Sequence, residues 1–435
     1  MTEPTLTARA VRAGRGPATA LPVANFLSFF AIAVVEFSVP YIAVATLGAD
    51  SLIIATLGIC RFAPQVLLAR AAARIVERYD QRTVMLASEA LRVAAFALSA
   101  FALLLAPAVG LGVFAAANIC LACGSVLTAV STQVLVPALF SGGEMPRVYA
   151  RLGIAESAAD AAAPFLTGVS LGAFGVSATF GGAAALAACA CALLMGIPRI
   201  RVPAEPPGPA DPAEPGVPSG SSGSSEAAAG GRRARTLRQG LWINLRTPPL
   251  RILTIWSVSY NFGQCLIEAV LLIALVQQTP VTAASFGVIR TCSVVFTILG
   301  AFLAERLPAP LRRGLGTAVF GCGAVCSYAV LGAGVYVGGA PGLALVLAGF
   351  ALDEFCSGVV LVRIQAFRAR AITDGERPIA SAAFRAVNLT AVPAGFAVGG
   401  VAGLVADPAA LVLTTGLALL LPGALVLSRH VRHTT

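Results

Sequence analysis

Hydrophobic side chains in this chain come in long runs rather than in alternation. Mostly apolar segments of about twenty residues or more recur from residue 20 to residue 428, each bounded by a short polar or charged break. A run of that length crosses the ~30 Å hydrocarbon layer at about 1.5 Å per helical residue, so each reads as a membrane-spanning helix. The first half is expected to hold six spans, at 20–46, 51–72, 84–106, 109–136, 148–173 and 177–197. Six more are expected at 250–276, 282–304, 314–336, 342–366, 380–404 and 409–428.

The breaks differ in kind. Gly48-Ala49-Asp50, Pro107-Ala108 and Gly175-Val176 are short and nearly uncharged, whereas 73–83 and 138–147 carry charge. Residues 199–235 are rich in Pro, Gly and Ser without apolar periodicity, which reads as a flexible linker. Leu237, Leu241 and Leu245 then recur four apart, the pattern of a short amphipathic segment lying on the inner membrane surface. The expected organisation is a tail at 1–19, a six-helix bundle at 20–198, the linker with its amphipathic segment at 199–245, a second bundle at 246–428 and a tail at 429–435.

Composition removes the soluble alternatives. The chain is 57% hydrophobic and 11% charged, with mean hydropathy +0.86. The fold class is therefore an all-α membrane protein of twelve transmembrane helices in two pseudo-symmetric bundles. The formal charge of +10 comes from arginine alone among the basic side chains counted. With the N-terminus inside, twenty-five of the thirty arginines fall in cytoplasmic segments or at the span ends beside them, and none falls outside. Five lie within spans: Arg61, Arg92, Arg290, Arg363 and Arg385. The basic excess thus reports topology and not nucleic-acid binding, and both termini are expected in the cytoplasm of a cell-membrane protein. Residues 1–19 carry Arg9, Arg12 and Arg15 without a small-residue cleavage site, so the first helix reads as retained.

The halves repeat in one orientation. Gly58-Ile59-Cys60-Arg61 is matched by Gly287-Val288-Ile289-Arg290, and Glu77-Arg78 by Glu305-Arg306. Gln133 precedes Glu144-Met145-Pro146 as Gln365 precedes Glu376-Arg377-Pro378. Parallel six-helix repeats around a central linker give a two-bundle transporter architecture.

The knot Glu77-Arg78-Tyr79-Asp80-Gln81-Arg82, with Ala73 before it, resembles the G-x-x-x-D-R-x-G-R-R signature of the major facilitator superfamily of transporters. Ala73 stands for the Gly and Glu77 for the Asp. The acid at Asp80 looks like the D-R-x-D-R-R variant of its drug-exporter branch, which includes bacterial siderophore (enterobactin-type) exporters. Ala163-Pro164-Phe165-Leu166-Thr167-Gly168 resembles that branch's G-P-x-x-x-G segment, with Ala for the first Gly. The resemblance implies a proton-coupled antiporter working by alternating access, with helices one, four, seven and ten lining a cavity. It also implies a cytoplasmic gate in which Glu77, Arg78 and Arg82 meet Arg385 at the start of the eleventh span.

A charge at a helix centre costs roughly 2.5–3.5 kcal/mol on insertion scales, so each needs a reason. Glu36 lies thirteen residues before the turn at Ala49 and Arg61 twelve after it; Glu268 lies eleven before Thr279 and Arg290 eleven after. Equal depth on neighbouring helices predicts the ion pairs Glu36–Arg61 and Glu268–Arg290, either as structural anchors or facing the cavity. Asp353-Glu354 is an adjacent acidic pair in the tenth span, with at most one side chain facing the cavity squarely. Lacking an obvious arginine at that depth, the pair is the leading proton-coupling candidate, followed by Glu36, Glu268 and Asp160, the last one turn from Glu156. Polar residues expected to reach cargo are Asn25, Tyr41, Asn118, Gln133, Tyr260, Asn261, Gln264 and Gln365, each with interhelical hydrogen bonding as the alternative.

The ten cysteines sit in apolar runs and the two histidines, His430 and His433, in the tail. Neither a metal, a cofactor nor enzyme chemistry is therefore expected. No Walker sequence is present. The expected partners are a small amphipathic, drug-like or siderophore-like molecule, protons and the bilayer, with the chain a monomer. A proton-coupled uptake symporter and a non-transporting sensor on the same fold are the alternatives.

Overall fold

The computed structural model describes residues 15–140, 144–199, 237–308, 311, 314–373 and 375–432. These residues form helices and turns, with no strand among them. In chain order the helices of the first half are α1 (Arg15–Ala45), α2 (Ser51–Leu67), α3 (Ala69–Arg78), α4 (Gln81–Ala100), α5 (Pro107–Leu139) and α6 (Met145–Leu194). The second half holds α7 (237–245), α8 (Pro248–Gln278), α9 (Ala283–Ala304), α10 (Gly314–Val337), α11 (Gly339–Ala371), α12 (Arg377–Val405), α13 (Pro408–Val426) and the short α14 (Arg429–Arg432).

The twelve spans emerge once two irregular places are understood. As one rod, the 50 residues of α6 would run roughly 75 Å, more than twice a bilayer core. Gly175 breaks it with φ 79°, a conformation that costs glycine nothing, and divides it into two arms at the turn expected from the sequence. The second span is the bent pair α2–α3, angled by 57°. Pro64, which cannot donate to the helix ladder, lies one turn before that bend.

Local chemistry fixes the ends. Asp50, Asp80 and Asp407 each accept a bond from a backbone N–H three residues on, capping α2, α4 and α13. Thr282 and Ser285 form a reciprocal capping box on α9. The charged knot is correspondingly less of a loop than the sequence suggested. Glu77 and Arg78 are the last turn of α3, Tyr79 and Asp80 make the connection, and buried Gln81 donates back to the Val76 carbonyl at 2.7 Å.

Each half packs around its own apolar core. In the first, Phe96, Phe114, Leu121 and Phe180 interlock under α1. In the second, Val325, Leu331, Val346 and Val412 are fully enclosed. Large apolar side chains such as Leu67, Phe174 and Val405 stay exposed, as a lipid-bathed surface requires. The helix 237–245 buries Gly240, Ile243 and Asn244 against α11 and α12 rather than a leucine stripe alone. Asn244 Nδ2 bonds the Ala380 carbonyl at 2.8 Å and its Oδ1 accepts from Arg368 at 2.6 Å. Arg246 clasps Glu376 through two bonds, at 2.9 and 2.8 Å.

Below, the end bearing α7 is the linker face and the end bearing the α1–α2 turn is the far face.

Candidate functional site: a charged cavity beneath a cross-bundle seam

The bundles meet through two small-residue seams in the far half. In one, α6 crosses α9: a Cβ on Gly168 would lie 2.4 Å from the Ala283 carbonyl oxygen, and one on Gly287 2.5 Å from that of Pro164. Only glycine permits this approach. The Phe165 N–H donates to Thr291 Oγ1 across the seam at 3.0 Å. The expected A-P-x-x-x-G segment is thus a bundle-to-bundle contact. In the other seam α2 crosses α12, where Ser51 Oγ donates to the Gly400 carbonyl at 2.8 Å and Phe62 stacks on Phe396 at 6.0 Å. Phe37 of α1 stacks on Phe286 of α9 at 5.3 Å.

Directly beside these seams lies a cavity of about 550 Å³ lined by both bundles. Glu36, Arg61, Asp160, Glu268 and Arg290 all reach it, among Phe37, Phe62, Phe286, Phe350 and Phe396. A larger groove of about 870 Å³ between α8, α12 and α13 has no charged side chain in its walls, so the chemistry belongs to the smaller space.

The expected pairs divide. Arg61 and Glu36 are joined as an ion pair, and the Arg61 guanidinium also covers the Phe62 ring at 5.3 Å. Glu268 and Arg290 are not within ion-pairing distance. Arg290 instead lies 5.8 Å over the Phe350 ring, while Glu268 is exposed into the cavity. Both residues line the cavity, but the aromatic face captured the guanidinium. Glu268 and Asp160 both lie within electrostatic reach of Arg61.

The tenth-span acids stand off the cavity. Asp353 is buried inside the second bundle, where Tyr260 Oη donates to its carboxylate at 2.8 Å. Glu354 turns to α9 and accepts from Thr297 Oγ1 at 2.5 Å. Thr297 does line the cavity, so Glu354 stands one side chain behind its wall.

Of the eight polar candidates, Asn118 lines the cavity, and its Nδ2 is held by the Phe114 carbonyl at 3.1 Å. Asn25 bonds Glu156 at 3.1 Å between α1 and α6. Tyr41 packs its ring on Phe37 and Phe286. Tyr260 is committed to Asp353, and Asn261 to Asn388 at 2.9 Å. Gln264 is half-buried outside the cavity lining, and Gln133 and Gln365 are exposed outside it. Asn25, Tyr260 and Asn261 are thus held by interhelical bonds, as a polar group in an apolar layer takes the nearest partner. Glu77, Arg78 and Arg385 are exposed, Arg82 is half-buried, and no ion pair joins Glu77 to Arg385 here.

Sequence reasoning missed two things. One is the set of five phenylalanines, indistinguishable by type from core aromatics. The other is a buried cluster in the first bundle: Glu89 paired with Arg92, which also reaches Ser28 Oγ at 2.5 Å and Thr128 Oγ1 at 3.0 Å. The Glu-x-x-Arg spacing on one helix face was the available signal.

Two bundles, two glycine seams and one charged cavity between them describe an architecture that the sequence alone also matches. The model for the Major Facilitator Superfamily matches residues 22–350. The chain belongs to the Major Facilitator Superfamily. Like others of this superfamily it is a multi-pass membrane transporter and not an enzyme. Among curated proteins no sequence matches it. Among solved structures it is similar to a bacterial homologue of the iron transporter ferroportin in an inward-facing state, with TM-score 0.68 and 14% identity over 95% of this chain and 98% of that one. It is also similar to the nucleoside transporter NupG, with TM-score 0.66 and 13% identity over 94% and 98%. The D-xylose-proton symporter gives TM-score 0.62 and 11% identity over 97% and 99%. At such identities the likeness establishes the superfamily fold alone.

Proposed function

We propose that this chain is a secondary active exporter that carries a small amphipathic, drug-like or siderophore-like molecule through the cavity between its bundles. The observation that carries the reading is that Glu36, Arg61, Asp160, Glu268 and Arg290, drawn from both bundles, share one ring-walled cavity. Charges inside a membrane cost several kcal/mol, and five of both signs gathered in a space shared by the two bundles favour a pathway. A space of about 550 Å³ falls in the range of small-molecule sites. Aromatic walls suit an apolar body, and Asp160 and Glu268 suit a polar or charged end.

In this reading the arginine-rich linker face lies in the cytoplasm and the far face outside, in a cell membrane with both termini inside. The glycine seams then close the outer side, and cargo enters from the cytoplasm. Protons are the coupling ion, and Glu36, Asp160 and Glu268 are the acids that cargo meets in the cavity. Glu77, Arg78, Arg82 and Arg385 form the gate of the opposite, outward-open state. The exporter reading also draws on the A-P-x-x-x-G segment at the α6–α9 seam.

The test compares small molecules in the medium and inside cells expressing the wild type or the Glu36→Gln/Glu268→Gln variant. Export predicts compounds enriched in the medium by the wild type only, and retained inside on adding a protonophore. Inverted vesicles with an acidic lumen should then accumulate the same compound. Depletion of that compound from the medium, or accumulation without a pH gradient, would overturn the reading.

A further inference from the structure

Two carboxylates are buried among the described residues, Glu89 and Asp353. Glu89 has the Arg92 guanidinium beside it. Among the described residues Asp353 has no cation within ion-pairing distance. The groups that face it are Tyr260 from α8, Ser327 and Tyr328 from α10, and Glu354 and Cys356 from α11. One is a second acid, and none is basic. Tyr260 donates to the carboxylate at 2.8 Å, with the Tyr328 and Ser327 hydroxyls beside it. The Tyr328 ring packs on Tyr260 at 5.7 Å, and its hydroxyl, buried beside Asp353, has no bonding partner. Ser327 Oγ spends its proton on the Ala324 carbonyl at 2.6 Å, leaving its oxygen lone pairs unused.

A carboxylate in this setting cannot remain a bare anion, because burying an unpaired charge costs several kcal/mol even after relaxation. A positive charge must enter with it, and the pocket offers oxygen lone pairs to receive one. We propose that the Asp353 pocket binds the monovalent cation that drives transport, a proton or a sodium ion, apart from the cargo cavity. A proton sits on the carboxyl oxygen not bonded to Tyr260 and donates to the Tyr328 oxygen. A sodium ion takes the carboxylate with the Tyr260, Tyr328 and Ser327 oxygens, the hard ligands an alkali cation prefers.

The pocket is connected to the cavity without opening into it. Tyr260 lies eight residues before Glu268 on α8, so the Tyr260–Asp353 bond ties a cavity-lining helix to α11. On the other side Glu354 bonds cavity-lining Thr297. There α9 and α11 are pressed together at Gly300 and Gly358, whose Cβ positions would lie 2.2 and 2.3 Å from the facing carbonyl oxygens. Cation occupancy therefore acts on both walls. This inference rests on the reading of the chain as a secondary active transporter.

The test needs no cargo. The chain has two tryptophans. Trp256 stacks on Tyr260 at 5.1 Å, so in a Trp242→Phe background it reports on the pocket alone. Purified protein is titrated with protons and, separately, with sodium while Trp256 fluorescence is followed. The expected result is a saturable change with one of the two cations, absent in Asp353→Asn. Tyr328→Phe should shift its midpoint several-fold, and this variant carries the test if Asp353→Asn does not fold. A proton response supports both proposals. A sodium response without a proton response supports this site and overturns proton coupling. The same titration in Asp353→Asn, or no response to either cation, overturns the site while leaving the export assay to judge cargo and direction.

Discussion

In the first bundle Glu89 is buried against the guanidinium of Arg92, with Ser28 and Thr128 completing the shell. In the second, Asp353 is buried among α8, α10 and α11 with phenol and serine hydroxyls but no guanidinium. The two clusters occupy related places: Ser28 lies eight residues before Glu36 on α1, and Tyr260 eight before Glu268 on α8. Each half thus holds one buried polar cluster. The first cluster carries its own counter-charge, whereas among the described residues the second has no ion-pair partner. The cavity repeats the contrast. Arg61 is bound to Glu36 in the first half, while in the second Arg290 rests on Phe350 and leaves Glu268 open. A pseudo-symmetric scaffold thus keeps its architecture in both halves while these charges are paired in one and, among the described residues, unpaired in the other.

The largest break in that comparison should come from Arg92→Leu, which strands Glu89 in the first core. Removing one partner of a buried pair costs about 3–5 kcal/mol. Thermal unfolding of the solubilised protein should show it, and Glu89→Gln/Arg92→Leu should recover most of the loss. If Arg92→Leu unfolds like the wild type, the pair is not the anchor.

Glycines sharpen the contrast between packing within a bundle and across the seam. Gly300→Val presses a side chain into the Phe355 carbonyl inside one bundle, where nothing can move apart. A loss of about 1–3 kcal/mol in unfolding stability is expected. Gly287→Val meets the Pro164 carbonyl across the seam, where the bundles can separate. It should cost less stability and increase hydrogen exchange around residues 160–168 and 283–291. Equal effects of the two on stability would mean that the seam is as fixed as a core.

Asp353→Asn should be milder still. The amide oxygen continues to accept from Tyr260, and no guanidinium is stranded, so unfolding stability should change by under about 1 kcal/mol. A loss like that of Arg92→Leu would show that Asp353 has a fixed counter-charge after all.

The smallest effect concerns the linker face. The Arg246 guanidinium, helped by the Thr373 hydroxyl, holds the Glu376 carboxyl below the ordinary carboxylate range. A depressed acid contributes its stability above that range and loses it as pH falls through its folded value. Docking of 237–245 should therefore be unchanged around neutrality and loosen only in acid. Glu376→Gln should loosen it at neutral pH, read as faster amide exchange in 237–245 with little change elsewhere. Faster exchange in the wild type on mild acidification alone would contradict this.

Much of the fold was legible because the bilayer imposes it. Run length gave the spans within a few residues, and Gly175 marked the turn hidden inside a continuous helical stretch. Arg61 and Glu36 were recoverable by counting depth from Ala49. Side-chain direction was not, because it depends on which partner lies nearest after packing. Arg290 lines the same cavity as Glu268 yet turns to Phe350, and Tyr260 bonds Asp353 outside the cavity lining. Charge in the break at 73–83 marks the membrane edge; where the helices end there is decided by the Asp80 and Gln81 side chains, which bond the Thr83 N–H and the Val76 carbonyl.

The most direct test of alternating access is the distance between spin labels on Thr46 and Ala406, exposed far-face positions on the first and second bundles, attached through unnatural amino acids. The account predicts two distance populations, with the longer one growing when the seam is weakened by Gly287→Val and when the cavity acids are neutralised by Glu36→Gln/Glu268→Gln. A single distance unchanged by either variant and by pH would contradict it.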